Sequence, residues 1–164
     1  MFCNMGGHVK KLTLWLFASA LLLTSCQTID VFEKNVAFAK HEWNNAYKPE
    51  ISFEITDTIS YYNIYVVLRH TDAYRYKNMW LNVYTQVPGD TIINQRLDLL
   101  LATDDKGWLG SGMDDIYEHR IRITQQPQRL ARKGVYKFRL EQIMREDPLE
   151  NVMNAGIRVE KVKG

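Results

Sequence analysis

The chain has 164 residues, of which 46% are hydrophobic and 24% are charged, with a formal net charge of +2. This length and balance fit one globular domain and exclude a disordered or collagen-like chain. The first 25 residues hold Lys10 and Lys11 and no acidic side chain, so 19 basic and 19 acidic residues remain beyond them. A neutral domain lacks the basic excess of general nucleic-acid binders, and no nucleic-acid partner is predicted.

The N-terminus has the pattern of a secretory signal. The basic pair Lys10–Lys11 precedes an apolar run over residues 12–23. As a helix that run would span about 18 Å, well short of the roughly 30 Å of a bilayer core. We therefore predict a cleaved signal peptide over residues 1–25 rather than a transmembrane anchor.

The segment Leu23-Thr24-Ser25-Cys26 resembles the lipobox of bacterial lipoproteins. Small residues at positions 24 and 25 fit the peptidase cleft, and the Cys26 thiol would take a diacylglyceryl group before a second acylation. Several acyl chains anchor a protein stably, whereas one chain holds it only marginally. The alternative is an ordinary buried cysteine behind a conventional cleavage site. With Cys3 removed and Cys26 lipidated, no disulfide is predicted.

A short tether is predicted after the signal. Residues 26–30 would form the lipidated cysteine and a linker that reaches only about 13 Å when extended. No Ser-, Gly- or Pro-rich stalk intervenes before the next strand-like run. The domain of residues 31–164 should therefore sit close to the membrane.

Alternation of apolar and polar residues with period two recurs along the mature chain, and no segment of 12 or more residues shows a helical stripe. It predicts about eight strands, at residues 31–38, 51–56, 61–69, 79–84, 93–101, 116–123, 135–142 and 156–162. Short strands at this spacing, with turns such as Pro88-Gly89-Asp90, favour an all-β antiparallel β-sandwich that is jelly-roll-like. Short helical turns are predicted near residues 40–45 and 144–152.

The alternation also predicts which side chains face the core. They are Ile51, Phe53, Ile55, Ile93, Leu97, Leu99, Leu101, Tyr136, Phe138, Leu140, Ile157 and Val159. The run over residues 61–69 is apolar on both faces and rich in β-branched and aromatic residues, which is typical of a central strand. Lys161 falls on the inward face of the last strand, so that strand is expected to fray there.

A polar loop is predicted at the exit of the central strand, over residues 69–76. His70 and Asp72 stand two residues apart, a spacing that suits acid–base chemistry or metal ligation. No third ligand or nucleophile lies nearby in the sequence. The alternative is that the two side chains cap one another or the backbone.

A second loop places three glycines around an indole, in the stretch Gly107-Trp108-Leu109-Gly110-Ser111-Gly112. Such a backbone could approach a ligand closely, but the strand-to-helix context of a phosphate-binding loop is missing. Carboxylates around this loop suggest a calcium site without EF-hand spacing, formed by Asp104, Asp105, Asp114, Asp115 and Glu118. The two aspartate pairs also suggest a glycosidase, whose carboxylate separation the sequence does not supply. No familiar hydrolase, nucleotide or zinc-protease motif is present, so no catalytic residue, metal or cofactor is predicted.

Aromatic residues are abundant, with nine tyrosines and the tryptophans Trp43, Trp80 and Trp108 beyond the signal. Aligned aromatics on a sandwich face can stack on sugar rings, and the alternative is that they fill the core and line the sheet edges. A local basic stretch is expected to be a solvated face or a contact for an acidic partner. It comprises Arg120, Arg122, Arg129, Arg132 and Lys133.

Five strings of the chain carry a family resemblance. They are VFEKNV (31–36), IYVVLRHTDAYRY (64–76), DKGWLGSGMDDI (105–116), YKFRLEQIMR (136–145) and GIRVE (156–160). Together with the lipobox they resemble the GldH family of gliding-motility lipoproteins from the Bacteroidota. The resemblance runs in order from Cys26 to about Val162.

The resemblance implies a cell-envelope lipoprotein required for the gliding machinery, which is tied to the type IX secretion apparatus. It supplies no catalytic residues. A dense acidic run after the cysteine resembles a surface-export signal in such lipoproteins, and its absence here favours the periplasmic face of the outer membrane. We expect a non-enzymatic component, held to the membrane through Cys26, that contacts other gliding or secretion proteins of the envelope.

The expected contact surface is formed by residues of the two loops, namely His70, Asp72, Tyr74, Arg75, Trp108, Asp114, Asp115 and His119. Two alternatives stay open. One is a jelly roll that binds a glycan or peptidoglycan through Trp108 and neighbouring aromatics. The other is a hydrolase built on His70, Asp72 and the Asp114–Asp115 pair.

Overall fold

The computed structural model describes residues 30–162, which are organised almost entirely as β-strands and loops. Eight strands have six or more residues. They are β1 (Val31–Ala37), β2 (Glu50–Ile55), β3 (Tyr61–Thr71), β4 (Asn78–Gln86), β5 (Ile92–Leu100), β6 (Ile116–Arg122), β7 (Gly134–Gln142) and β8 (Val152–Lys161). The predicted signal peptide, Cys26 and residues 27–29 of the tether lie outside the described residues. No helix within residues 30–162 has the length and hydropathy to cross a membrane.

The strands form two antiparallel sheets, with the order β1-β8-β3-β6 in the first and β2-β7-β4-β5 in the second. Successive strands alternate between the sheets except for the β4–β5 hairpin, which is the strand order of a jelly roll. The first sheet is extended beside β6 by Ser111–Met113, and Gln128–Arg129 pairs with the start of β3. The predicted all-β antiparallel sandwich is confirmed.

The core lies between the sheets and follows the predicted alternation. Ile51, Phe53 and Ile55 are buried, as are the predicted inward residues of β7 and β8. β3 lies in the middle of the first sheet, between β8 and β6, with Val67 buried on its outer side. The inner face of β3 is buried in the core, and its outer face is only partly covered, with Tyr65 half-buried and Arg69 exposed.

The prediction is wrong for Ile93, whose side chain is 60% exposed. Leu99 and Leu101 are buried and Leu97 is partly buried, so the inward pattern holds only for the second half of the strand. β5 is the edge of the second sheet and is paired on one side alone. Alternation predicts on which face of its strand a side chain lies. It does not predict whether the opposite sheet extends far enough to cover that side chain.

Neither helical turn forms as predicted. Residues Leu149–Glu150 are extended and pair with Glu42–Trp43, so no helical turn occupies residues 144–152. The fully buried side chains of Trp43 and Leu149 stand opposite each other in this pair, and such tertiary pairing overrides local preference. Near residues 40–45 only a single 3-10 turn forms, over Ala39–His41.

The last strand does not fray at Lys161. The Lys161 backbone N–H donates to the Asp30 carbonyl at 2.8 Å, and β8 still pairs with Tyr62 at this position. Its ammonium forms an ion pair with Asp57 at 2.8 Å. A charged residue on the inward face is tolerated because it lies at the end of the sandwich, where a carboxylate meets it.

The long axis of β3 separates two ends of the sandwich. At the proximal end, Asp30 and Lys161 lie beside the start of β3 at Tyr61. At the distal end, Thr71 at the end of β3 pairs with Ile116 at the start of β6. The 11 residues of β3 place these ends about 33 Å apart.

Candidate functional site

The two predicted loops meet at the distal end. The Asp72 backbone N–H donates to the Asp115 carbonyl at 2.7 Å, which joins the turn after β3 to the turn before β6. On the other side, the Thr71 N–H donates to the Asn151 carbonyl at 3.0 Å. Because Asp72 and Asp115 are joined through their backbones, their side chains are free to face outward.

Beneath the loops lies a pair of buried histidines, His70 from β3 and His119 from β6. Their exposed fractions are 0% and 3%, and their Nε2 atoms are 2.9 Å apart. His70 Nδ1 is 2.7 Å from the Thr71 carbonyl. A carbonyl can only accept, so Nδ1 carries the proton of His70 and Nε2 is left as an acceptor. His119 therefore donates its Nε2–H to His70.

Both histidines are neutral at neutral pH. Burial lowers the pKa of His70, and burial together with the neighbouring His70 lowers the pKa of His119 to about 4. A proton added to His70 would turn its Nε2 into a second donor facing the donor of His119, so the hydrogen bond requires an uncharged His70. The pair therefore acts as a fixed link between β3 and β6.

Aromatic rings enclose the histidine pair. The ring centroid of Trp108 lies 4.4 Å from that of His70, and those of Tyr74 and Tyr117 lie at 5.1 and 5.8 Å. The Tyr74 hydroxyl donates to the Asn78 carbonyl at 3.0 Å. Burial raises the pKa of Tyr74, so its hydroxyl stays protonated. This cluster is an extension of the core that supports the loops from below.

The glycines of the second loop approach their own chain closely. A Cβ at Gly110 would lie 2.5 Å from the Glu118 carbonyl oxygen, and one at Gly112 would lie 2.9 Å from the Tyr117 ring. Of the three glycines, only Gly107 has a positive φ, of 66°. The close approach expected toward a ligand is thus made toward β6, because the loop folds back over that strand.

The predicted site residues divide by burial. His70, Tyr74 and His119 are interior residues, which corrects their expected place on a surface, because β3 continues through Thr71 and the cluster closes over them. Trp108 is half-buried against His70. The exposed members are Asp72, Arg75, Asp114 and Asp115.

Among the exposed residues, Asp114 has a φ of 55°, a left-handed conformation that aspartate adopts more readily than most residues. Arg75 forms ion pairs with Glu146 at 2.8 Å and Glu150 at 3.4 Å. Within residues 30–162, no three His, Cys, Asp or Glu side chains converge as a metal site would require. The ring nitrogens of His70 bind the Thr71 carbonyl and His119. Within residues 30–162, His70 makes no hydrogen bond to Asp72.

The sequence did not predict the hydrogen bond between His70 and His119. Nor did it predict that Tyr117 packs against His70 or that the Asn151 carbonyl accepts from the Thr71 N–H. The alternation of β6 carries a signal for this, since Tyr117, His119 and Ile121 share one face. What the sequence lacks is the register that sets His119 opposite Leu68 and thereby beside His70. Register between strands about 50 residues apart is a tertiary property.

Two curated relatives align over nearly their full lengths. The gliding motility lipoprotein GldH homolog of Christiangramia forsetii is 24% identical over 148 residues, covering 86% of this chain and 90% of its own. The gliding motility lipoprotein GldH of Flavobacterium johnsoniae is 28% identical over 155 residues, covering 89% and 94%. Among solved structures, one of the infectious bursal disease virus Gx strain covers 82% of this chain and 41% of its own at 12% identity, with a TM-score of 0.18 that is too low to indicate a shared fold.

The chain also matches the sequence profile of a whole protein family. The sequence profile of the GldH lipoprotein family matches residues 30–159, nearly all of the jelly roll. Strands β1 to β7, most of β8, both loops and the histidine pair lie inside this range. The chain therefore belongs to the GldH lipoprotein family.

Proposed function

We propose that the protein is a lipoprotein of the gliding-motility and type IX secretion machinery, anchored at the periplasmic face of the outer membrane. Family membership and the names of both relatives support a gliding-motility lipoprotein. Its mechanism is protein–protein contact without catalysis. The observation that carries the contact mechanism is that the exposed residues of two separate loops form one surface at the distal end.

This distal surface consists of Asp72, Arg75, Met113, Asp114 and Asp115. The three carboxylates and the exposed Met113 give it an acidic rim beside an apolar contact. The loops are fixed by backbone hydrogen bonds and by the histidine pair below them. A surface that is already ordered loses less conformational entropy when it binds, which suits a partner with a basic, partly apolar face.

The state of the histidines supports a role without catalysis. A general base needs an accessible nitrogen within reach of the proton that it removes. Both nitrogens of His70 are engaged, to Thr71 and to His119, and the ring has no exposed surface.

Changing Cys26 to alanine is expected to release the protein from the membrane with its fold intact, because the altered residue lies outside the jelly roll. Confinement to one surface raises the effective concentration of tethered partners, so the released protein should lose its function in cells. Membrane fractionation, a gliding assay and circular dichroism of the released protein check this. Full function from a soluble Cys26→Ala protein would contradict the anchoring proposal.

The contact surface is tested by affinity purification of the tagged lipoprotein from lightly cross-linked cells. Asp72→Lys combined with Asp115→Lys should reduce co-purified gliding or secretion proteins at least tenfold, because two exposed charges are reversed while the backbone bond between these residues remains. The control is Glu54→Lys, an exposed acidic residue of β2 away from the distal surface. Equal recovery with all three proteins would refute a contact at the distal surface.

Glycan binding is a second candidate, favoured by a groove on the outer face of the second sheet. The groove has a volume of about 640 Å³ and is lined in part by Tyr76, Trp80, Arg96 and Arg145. The Arg96 guanidinium lies 4.7 Å from the Trp80 ring centroid. Titration with envelope polysaccharides should shift the tryptophan fluorescence, and a Trp80→Phe variant should lose that shift. A constant spectrum with every sugar would remove this candidate.

A further inference from the structure

The proximal end gathers the first and last described residues of the chain. The Asp30 carbonyl accepts from the Lys161 N–H, and the Tyr61 carbonyl accepts from the Val162 N–H, each at 2.8 Å. Cys26 is four residues before Asp30, and four residues reach only about 13 Å. Lipid on Cys26 would therefore hold this end of the sandwich, rather than the distal end, near the bilayer.

Two large apolar side chains project from the same end. Ile59 is 76% exposed and Tyr61 is 53% exposed. Ile59 stands on an ordered turn, in which the Asp57 carboxylate accepts from the Ile59 N–H at 3.0 Å and from the Ser60 hydroxyl at 2.7 Å. The Asp57 carboxylate also binds Lys161. The turn thus holds an isoleucine outward on a fixed support.

The proximal end carries basic side chains that can contact phosphate, next to the exposed carboxylate of Asp30. Lys161 pairs with Asp57 and Arg132 pairs with Asp90 at 3.1 Å. Arg129 and Lys133 are exposed and have no carboxylate partner within 4.0 Å among residues 30–162. The Arg129 guanidinium donates to the Thr58 carbonyl at 3.4 Å, which places it beside the turn that carries Ile59. The distal surface, by contrast, is acidic.

We infer that the proximal end is a membrane-contact surface that rests on the phospholipid headgroups of the bilayer holding the lipid anchor. Ile59 enters the interfacial layer, Tyr61 lies at headgroup level, and Arg129 and Lys133 contact lipid phosphates. The inference rests on the proposed anchoring through Cys26 and adds a fixed orientation to it. The two acidic loops then point away from the membrane.

The test uses the full-length lipidated protein in vesicles of phosphatidylethanolamine and phosphatidylglycerol. An environment-sensitive fluorophore is attached at Ile59→Cys or, as the matched control, at Met113→Cys. These positions are 76% and 75% exposed and lie at opposite ends of β3. The label at position 59 should shift to shorter wavelength and be quenched by headgroup-linked nitroxide at least threefold more than the label at position 113.

Vesicle flotation separates the two ways of failing. Protein that floats while both labels remain equally hydrated would overturn the orientation and leave the anchor standing. Protein that fails to float would overturn both. The parent chain without an added cysteine should take up no label, since the Cys26 thiol is acylated.

The cationic contribution is tested in the Ile59→Cys background. Arg129→Glu with Lys133→Glu should reduce nitroxide quenching of the label at least twofold, because two phosphate contacts become repulsive. The control pair, Arg96→Glu with Arg145→Glu, lies in the groove of the second sheet and should leave the quenching unchanged. An equal loss in both pairs would show a nonspecific charge effect and would overturn the phosphate contacts.

Discussion

Replacing Gly156 with alanine is expected to lower the free energy of unfolding by about 3 kcal/mol, at the upper end of the usual cost of overpacking. Gly156 lies in β8 between Asn35 of β1 and Val67 of β3. An added Cβ would overlap the Lys34 carbonyl oxygen and the Asn35 side-chain oxygen. The carbonyl belongs to a paired strand and cannot move without displacing β1.

Urea unfolding of the full chain, followed by circular dichroism, measures this loss. An Asn35→Ala change in the same background removes the side-chain overlap but leaves the carbonyl of Lys34 in place. The double variant should therefore recover only part of the lost stability. An unchanged unfolding midpoint for Gly156→Ala would show that β1 is free to shift, and would contradict the tight β1–β8 packing.

Acidification is expected to destabilise the fold by about 3 kcal/mol between pH 6.5 and pH 4 through His119 alone. The unfolded chain binds a proton on His119 near pH 6.5, whereas burial keeps the folded group neutral until about pH 4. The stability contributed by the neutral state is therefore complete above about pH 6.5 and is lost as the pH falls toward 4. Burial of His70 shifts its pKa in the same direction and adds to the loss.

Between pH 6.5 and pH 5 the histidines dominate the change in stability, because carboxylates with lowered pKa values, Glu33 and Glu141 among them, lose most of their contribution at lower pH. Hydrogen bonds from Lys161 and Ser60 lower the pKa of Asp57. The stability that the Asp57 carboxylate contributes is therefore lost only at lower pH. Urea midpoints are measured across this interval. His119→Gln retains an N–H donor toward His70 without a titratable ring and should flatten the slope, while His41→Asn, at an exposed histidine, should not. Equal stability at pH 7 and pH 5 in the parent protein would contradict the buried neutral pair.

The sandwich could be predicted from sequence because period-two alternation is a local property. The alternation of Ile51, Phe53 and Ile55 predicts a half-buried strand from this segment alone, whatever strands lie beside it. Ile93 shows the same local signal and is exposed, since the position of β5 at a sheet edge depends on the order of all the strands. The pairing of Trp43 with Leu149 across more than 100 residues likewise has no local signal.

The candidate site was predicted less completely than the fold. Polar and glycine-rich composition predicts the two loops, and the structure brings them together. The sequence predicts exposed histidines because His70 follows Arg69 and precedes Thr71 and Asp72. Whether such a residue ends a strand or begins a loop depends on the partner opposite it, here Tyr117 of β6.

The length of β3 has a mechanical consequence for the envelope. With the proximal end seated on lipid, the 11 residues of this central strand make the jelly roll a stiff spacer about 33 Å tall. A protein that binds the distal surface would need its complementary face at about this distance from the lipid headgroups. A component that lies flat on the same bilayer would not reach the distal loops. The fold would in this way select partners by height as well as by chemistry.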